Sequence, residues 1–325
     1  MIFTVSKSSD CYFNLALEEH FLRDFDDDVF MLWQNDKTIV VGKNQNTLAE
    51  INIDYVKENG IRVVRRITGG GAVYHDMGNI NFTYIVNHEG EWDRSFSRFA
   101  IPIINALGKL GISAEVSGRN DIVACGRKIS GNAQTMLNGR LLHHGTLLFD
   151  VDMSILKNAL SPDKEKIESK GIKSVESRVA NLSELTGQSI DAGKLTMLIR
   201  DEVKKLGDVV DYQITDEDTQ VAEKLADEKY RTWEWNFGYS PKYTFKKTKR
   251  FKSGNVDVCL LVKDGRIEDA HFSGDFFGIR EVSEIEEALV GCRHNRGDVL
   301  KALSVFKIGD FFGGISIDDL LEILL

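Results

Sequence analysis

The chain opens with alternating helical and strand-like hydrophobic patterns. Apolar residues at helical spacing predict helices over about 12–24, 52–59 and 95–110. Shorter apolar runs predict strands near 29–34, 38–42, 61–66 and 80–86. Pro102 falls inside the third helix and is expected to kink or interrupt it. These elements predict an α/β fold of mixed sheets flanked by helices.

The strongest turn signal is the pair Asn138-Gly139, which stands between two apolar-rich runs. This pair favours a two-residue hairpin, so we expect residues of about 128–137 to pair with 140–150. The polar, lysine-rich stretch 161–178 contains Pro162 and is interpreted as a long surface loop. Such a loop is either an active-site lid or a tolerated insertion. Helices near 191–206 and 217–229 complete the larger unit.

A second pattern begins at about residue 246. Asp264-Gly265 joins the strand-like runs 255–263 and 266–273 into another hairpin. Short amphipathic helices are predicted near 283–290, 297–304 and 316–325. We therefore expect two units, residues 1–245 and a small C-terminal α+β unit of residues 246–325, and only the first carries a catalytic constellation.

Composition narrows the class of protein. A length of 325 residues exceeds one typical domain, and 42% hydrophobic with 28% charged residues suits a soluble globular protein. The net charge of −9 disfavours a nucleic-acid partner, and the basic stretch 242–252 is interpreted as an exposed strand face. No apolar run is long enough for a membrane helix, and the N-terminus does not resemble a signal peptide. The four cysteines form no metal motif, so reduced thiols of a cytoplasmic protein are expected.

The most informative segment is the run from Arg65 to Asn81, R-R-I-T-G-G-G-A-V-Y-H-D-M-G-N-I-N. Three consecutive glycines, residues 69–71, let backbone N–H groups approach a ligand closely, and the two preceding arginines indicate an anion. The alternative is a glycine-rich bulge between strands. The run matches neither a Walker loop nor the dinucleotide fingerprint, so a nucleotide would bind to a sheet-borne loop of another fold.

Two further clusters accompany the glycine run. The segments G-R-N-D-I and G-R-K-I-S-G-N-A, within 118–133, place Lys128 among small residues, where it is a candidate site residue rather than a solvated edge charge. The pair His143-His144 resembles a metal pair, but adjacent strand residues face opposite ways. A hydrogen-bonded structural role is therefore favoured for at least one of them. His75-Asp76 is also interpreted as structural, because no nucleophile accompanies it.

These segments resemble the lipoate–protein ligase A family, within the biotin and lipoate ligase superfamily. The similarity includes the glycine run, the two Lys128 segments and the H-H-G-T-L-L segment at 143–148. It continues through N-L-A-L-E-E at 14–19, K-G-I-K-S-V-E-S-R-V at 170–179 and W-E-W-N-F-G at 233–238, so that residues 1 to about 245 match in order. The remaining length fits the small C-terminal domain of that family. Glu176 departs from the family pattern, which either alters carrier preference or is neutral.

The resemblance implies a two-step ligase. The carboxylate of lipoic acid attacks the α-phosphate of ATP and gives lipoyl-AMP and pyrophosphate. The ε-amine of a lysine on a lipoyl-domain carrier then attacks lipoyl-AMP and releases AMP. The carrier would be the glycine-cleavage H protein or a 2-oxoacid dehydrogenase E2 subunit. Mg²⁺ is expected with ATP, the protein is expected to be a cytoplasmic monomer, and neither nucleic acid nor a membrane is an expected partner.

The resemblance also assigns roles to residues of this sequence. Lys128 would bridge the carboxylate and the α-phosphate, and Arg66 would help to bind the phosphates. The backbone of the Gly71, Ala72, Val73 and Tyr74 segment would contact the nucleotide. The acyl slot would be lined by Thr68, Gly69 and Gly70. Asp121 is the first candidate for a Mg²⁺ ligand or a ribose or phosphate contact, and its alternative is a turn-capping role.

Two other hypotheses stay open. A cysteine-dependent octanoyl or lipoyl transferase needs an activated thiol, but no cysteine lies between Cys125 and Cys259, where its nucleophile is expected. Cys125 ends an apolar run and is predicted to lie in a buried strand. A non-catalytic paralogue that only binds lipoyl domains would have no need of an intact Lys128, Arg66 and glycine run.

Overall fold

The computed structural model describes residues 1–88, 96–118, 120–160, 179–187, 190–237, 245–263 and 265–325, with the side chains of residues 48, 49, 53 and 54 left aside. The strands within these ranges are β1 (Ile2–Val5), β2 (Val29–Trp33), β3 (Thr38–Val41), β4 (Arg62–Arg65), β5 (Val73–His75), β6 (Asn79–Asn87), β7 (Ala114–Ser117), β8 (Asp121–Ala124), β9 (Arg127–Leu137), β10 (Arg140–Leu148), β11 (Val210–Asp211), β12 (Phe245–Phe251), β13 (Gly254–Lys263) and β14 (Arg266–Gly274). The helices are α1 (Cys11–Asp24), α2 (Thr47–Glu50), α3 (Ile53–Glu58), α4 (Ser97–Gly108), α5 (Met153–Ala159), α6 (Leu182–Leu185), α7 (Ala192–Val203), α8 (Asp216–Leu225), α9 (Trp233–Phe237), α10 (Ser283–Leu289), α11 (Arg296–Leu303), α12 (Ile308–Phe311) and α13 (Ile317–Leu324).

A large sheet with helices on both faces forms the centre of the first unit. Among the described strands its order is β11-β1-β2-β6-β10-β9-β8-β7. The strands β11, β1 and β2 run parallel, and the other neighbours are antiparallel. Strand β2 is buried on both faces: Val29, Met31 and Trp33 pack with α1 and α8, whereas Phe30 and Leu32 pack with α4 and α7. This mixed sheet between two helical layers confirms the predicted fold class.

A smaller sheet of strand order β4-β3-β5 lies beside the large one. On one face, Ile39, Val41, Val63 and Tyr74 pack with the helices α3 and α5 in a separate apolar cluster. On the other face, Val40 and Val64 join the cluster that contains α1. Strands β4 and β5 flank residues 66–72, so this small sheet holds both ends of the glycine run.

Most predicted elements are confirmed, and the hairpin at Asn138-Gly139 is the clearest example. Both residues have positive φ, 50° and 76°, as a two-residue type I′ turn requires. Of the two outcomes expected at Pro102, a kink or an interruption, the interruption does not occur, because α4 runs continuously from Ser97 to Gly108. The predicted surface loop 161–178, with Glu176, lies outside the described residues.

The C-terminal unit pairs a three-stranded antiparallel sheet, of order β12-β13-β14, with four short helices of the described chain, α10 to α13. One apolar cluster joins them and contains only residues beyond position 244. Strand β12 is mostly exposed, as predicted for the basic stretch, of which residues 242–244 lie outside the described ranges. No helix in the described residues is both long and apolar enough to cross a membrane.

Candidate active site

The glycine run is held in shape by the side chain of Arg66. Arg66 is 6% exposed, and its Nη2 donates to the carbonyl oxygens of Gly69 and Gly71 at 2.7 and 2.9 Å. Its Nε donates to Thr68 Oγ1 and its Nη1 to the carbonyl of Val40, at 2.9 and 3.2 Å. Four of its five N–H groups therefore have protein acceptors, and the guanidinium acts as a template for the loop.

Gly70 occupies a position that other residues would not tolerate. Its φ is +98°, and a Cβ there would lie 2.9 Å from Arg66 Nη2 and 3.0 Å from the ring of Phe277. The absence of a side chain lets the run turn between the guanidinium and the aromatic ring. With this turn, the segment from Gly70 to Val73 lines a cavity.

Arg65 has a different task from its neighbour. The residue is 2% exposed. Its guanidinium donates to the carbonyls of Gly42, Lys43 and Gln45, at 3.0, 2.9 and 2.7 Å, and to those of Trp235 and Asn236. It thereby joins the loop after β3 to α9. This loop, which lies beside the glycine run, is in this way anchored to the last helix of the first unit.

Lys128 is directed by a bulge in β9. The register with β8 passes from Ile122 opposite Ser130 to Val123 opposite Lys128, which leaves Ile129 as the extra residue. The side chain of Lys128 consequently curls over Gly131, where a Cβ would lie 3.0 Å from Nζ. Nζ forms an ion pair of 2.7 Å with Asp121, and both side chains are about one-third exposed, at 37% and 35%. The ammonium group is therefore fixed but accessible.

One cavity of about 130 Å³ brings most of the predicted residues together. Its lining includes Arg66, Gly70, Gly71, Ala72, Val73 and Lys128. Asp121 reaches the cavity through its contact with Lys128. The other predicted residues sit elsewhere: Thr68 is fully buried behind the run, Gly69 faces the carbonyl of Phe276, and the Tyr74 ring packs in the core of the small sheet.

Polar atoms at the inner wall of the cavity are left without partners in the described structure. They are His75 Nε2, Asn81 Nδ2 and Asn132 Oδ1, all of which belong to lining residues. Buried polar atoms are ordinarily hydrogen-bonded, so these atoms offer hydrogen bonds to water or to a polar ligand in the cavity. Burial lowers the pKa of His75 to about 3, and the positive charge of Arg66 adds to this effect, so the ring is neutral.

The two adjacent histidines face opposite ways, as predicted. His143 is buried against the ring of Phe99, with ring centroids 4.6 Å apart, and burial lowers its pKa well below the usual value. His144 lies on the other face of β10 and lines the cavity. No group of three or more metal-binding side chains occurs among the described residues.

The prediction for Cys125 is wrong. Strand β8 ends at Ala124, and Cys125 is exposed in a tight turn with φ of 51°, followed by Gly126 at 71°. The apolar run ends one residue earlier than its composition indicated, because Cys125-Gly126 supplies the two central residues of a hairpin. The thiol of Cys11 is buried, which raises its pKa to about 11, and burial also raises the pKa of Cys259 and Cys292.

Residues 10–204 match the family described as lipoyl protein ligase A/B catalytic domain, and residues 240–324 match the bacterial lipoate protein ligase C-terminus. The chain belongs to the lipoyl protein ligase A/B family. The resemblance on which the sequence analysis rested is thereby confirmed.

Individual members of the ligase A/B family are similar over nearly the whole chain. Lipoate-protein ligase LplJ of Bacillus subtilis is 44% identical over 321 residues, which is 97% of each chain. Lipoate–protein ligase 1 of Staphylococcus aureus is 42% identical, again over 97% of each. Among solved structures, P. falciparum LipL1 in complex with lipoate is 29% identical, covers 94% of each chain and has a TM-score of 0.82. Lipoate-protein ligase A bound with ATP is 27% identical over 73% of this chain and 98% of its own, with a TM-score of 0.64.

Several cavity residues of this ligase A/B family member were missed by the sequence analysis. Phe277 comes from the C-terminal unit, which also contacts the loop after β3 through a bond of 2.8 Å from Gly274 N to Asn44 O. Trp33 and Asn81 come from the large sheet. Trp33 lies in the predicted strand near 29–34 and Asn81 ends the run from Arg65, but Phe277 lies in a segment with no recognisable pattern.

Proposed function

We propose that this chain is an ATP-dependent lipoate–protein ligase. The observation that carries the proposal is the single cavity in which Lys128 and the Gly70–Val73 backbone meet. Membership of the ligase A/B family and 44% identity to a lipoate-protein ligase support the same activity. Solved relatives hold lipoate or ATP, so both are the proposed substrates here.

The first step brings two anions together, the carboxylate of lipoic acid and the triphosphate of ATP. Lys128 is the proposed bridge, because a fixed ammonium group offsets their repulsion and stabilises the charge that develops on the α-phosphate. The backbone of Gly71 to Tyr74 would contact the nucleotide. The segment Thr68 to Gly70 would border the acyl slot through Gly70, which lines the cavity, with Thr68 and Gly69 behind it. Arg66 has one N–H left for a phosphate, since its other four are bound to protein acceptors.

Mg²⁺ would enter this site with ATP. The phosphates supply most of its ligands, and one or two carboxylates suffice to complete the set. Asp121 offers one such carboxylate beside Lys128, so its donor fits a metal that is carried by the substrate. Asp121 would therefore hold Mg²⁺, which would offset part of the phosphate charge, while Lys128 would face the substrate carboxylate.

The second step transfers the acyl group to a lipoyl domain. The proposed acceptor is a lysine of glycine-cleavage H protein or of a 2-oxoacid dehydrogenase E2 subunit. A solved archaeal relative is described with its E2 lipoyl domain, which supports this class of partner. We also propose that the protein is a cytoplasmic monomer and that its two units divide near residue 245, where β12 begins.

A cysteine-dependent transferase is the second candidate. Cys11 is buried with a raised pKa, and Cys259 and Cys292 belong to the C-terminal unit, also with raised pKa values. Cys125 is the one exposed thiol of the described chain. It therefore is the residue whose replacement separates the two hypotheses.

The deciding experiment measures pyrophosphate release from purified protein with ATP, Mg²⁺ and lipoic acid, first without and then with an apo lipoyl domain. Lipoate-dependent release without the carrier is expected of an adenylating ligase. Acylation of the carrier from an acyl thioester or an acylated protein donor, in place of lipoic acid and ATP, would instead establish the transferase. Absence of both reactions in the presence of the carrier would refute the proposed function.

A further inference from the structure

A continuous chain of buried hydrogen bonds runs behind the glycine run. Arg66 Nε donates to Thr68 Oγ1 at 2.9 Å, and Thr68 Oγ1 lies 2.8 Å from His144 Nε2. His144 Nδ1 lies 2.8 Å from Glu18 Oε1. Glu18 and Thr68 are fully buried, and Arg66 and His144 are 6% and 8% exposed. The chain thus leads from the middle of α1 to the wall of the cavity.

The chemistry of these groups allows a consistent direction for the bonds. The Nε–H of Arg66 can only donate, and a carboxylate at Glu18 can only accept. One consistent set of bonds has the Thr68 hydroxyl accept from Arg66 Nε and donate to His144 Nε2, while His144 donates a proton on Nδ1 to Glu18. In this tautomer of His144 each hydrogen bond of the chain has a donor and an acceptor.

Glu18 is the distant counter-charge of Arg66. The acceptors bound by the guanidinium are the neutral oxygens of Thr68, Val40, Gly69 and Gly71. Burial lowers the pKa of Arg66 to about 10, and the negative charge of Glu18 opposes this shift. A buried cation is costly without a compensating charge, so the carboxylate two side chains away stabilises the guanidinium in place.

We propose that Glu18 is a positioning residue, which acts through His144 and Thr68 to hold Arg66 against the carbonyls of the glycine run. Loss of this support would let the guanidinium shift and would distort the Gly70–Val73 backbone that lines the cavity. Substrate binding would then weaken, whereas Lys128, on another strand, would keep its place. The inference rests on the proposed function for its kinetic test only.

The kinetic test compares four variants by lipoate-dependent pyrophosphate release, normalised to folded protein. Glu18→Gln removes the charge and keeps an acceptor oxygen, and Thr68→Val removes the hydroxyl at nearly constant shape. Both should raise the KM for lipoate about tenfold or more, with a smaller change in kcat, as expected for hydrogen bonds to charged groups. Thr68→Ser keeps the hydroxyl and should restore a KM near that of the wild type.

Glu19→Gln is the matched control. Glu19 is the next residue of α1 and is also buried. It binds Lys229 and Tyr230, at 2.7 and 2.5 Å, which do not belong to the hydrogen-bond chain from Arg66 to Glu18. The Glu19→Gln variant should be less thermally stable than the wild type, with no change in the KM for lipoate. An unchanged KM in Glu18→Gln, or an equal rise in Glu19→Gln, would overturn the proposal.

A second readout does not depend on activity. The Nε–H of Arg66, followed by ¹⁵N NMR, should exchange slowly in the wild type and in Thr68→Ser. It should exchange at least tenfold faster in Glu18→Gln and in Thr68→Val. If the wild type releases no pyrophosphate, the proposed function fails. The exchange measurement still decides whether Glu18 holds Arg66 through His144 and Thr68. Equal exchange rates in all variants would refute the proposed support of Arg66 by Glu18.

Discussion

Replacement of Lys128 by alanine tests the centre of the proposed mechanism. The side chain is 37% exposed and its ion-pair partner Asp121 is 35% exposed. Exposed pairs of this kind contribute about 0–1 kcal/mol to stability, so Lys128→Ala should fold normally. Removal of one preorganised charge from a site that develops negative charge typically lowers kcat by about 10²–10³. We therefore expect a loss of adenylation of at least this size with an almost unchanged melting temperature.

The neighbouring residue provides a matched control. Arg127 belongs to the same strand, is also about one-third exposed at 36%, and pairs with Glu184 at 3.3 Å, but it does not line the cavity. Arg127→Ala should therefore keep adenylation within about twofold of the wild type, since it removes a comparable surface pair. Both variants are assayed by lipoate-dependent pyrophosphate release and by thermal unfolding.

Two results would refute this reasoning. If Lys128→Ala adenylates lipoate within a few-fold of the wild type, the bridging role is wrong. If Arg127→Ala loses as much activity as Lys128→Ala, the effect comes from the local strand or from net charge rather than from a positioned ammonium group.

Three further predictions concern other parts of the site. Gly70→Val should weaken lipoate binding about tenfold or more, measured by calorimetry, because its Cβ would lie 3.0 Å from the Phe277 ring at a φ of +98°; unchanged affinity would refute the place assigned to the run. Cys125→Ser should keep full ligase activity, whereas a transferase that uses this thiol would lose all turnover. The stability of the protein should fall as the pH decreases from about 6.5 towards 3, because the unfolded chain takes up a proton that buried His75, with its pKa lowered to about 3, does not. In urea unfolding His75→Gln should reduce this slope, and an unaltered slope would contradict the assignment.

The sequence was most informative where a local pattern determines a local structure. Asn138-Gly139 predicted a hairpin because both residues readily adopt positive φ, and the structure has that turn. Glycines beside two arginines predicted a close approach of backbone to ligand, and the loop does line a cavity. Cys125 shows the limit of this reasoning: hydrophobicity alone did not reveal that the apolar run ended one residue before it, in a turn.

Contacts between distant segments were beyond such patterns. Glu18 and His144 are separated by 126 positions, and their pairing depends on α1 crossing the large sheet opposite β10. The sequence neighbours of each residue show no pattern that predicts this pairing, so neither was assigned to a chain of hydrogen bonds. Phe277 likewise reaches the cavity only because the C-terminal unit packs beside the glycine run.

The bonds of Arg65 also set an order for the assembly of the site during synthesis. Its acceptors at Trp235 and Asn236 lie about 170 residues further along the chain. At a translation rate of about 5–20 residues per second, the arginine leaves the peptidyl-transferase centre roughly 8–35 s before its last acceptors are made. A nascent chain that stops short of α9 thus holds a cation whose burial is incomplete. The ribosome must synthesise nearly the whole first unit before Arg65, next to the glycine run, can form its bonds to α9.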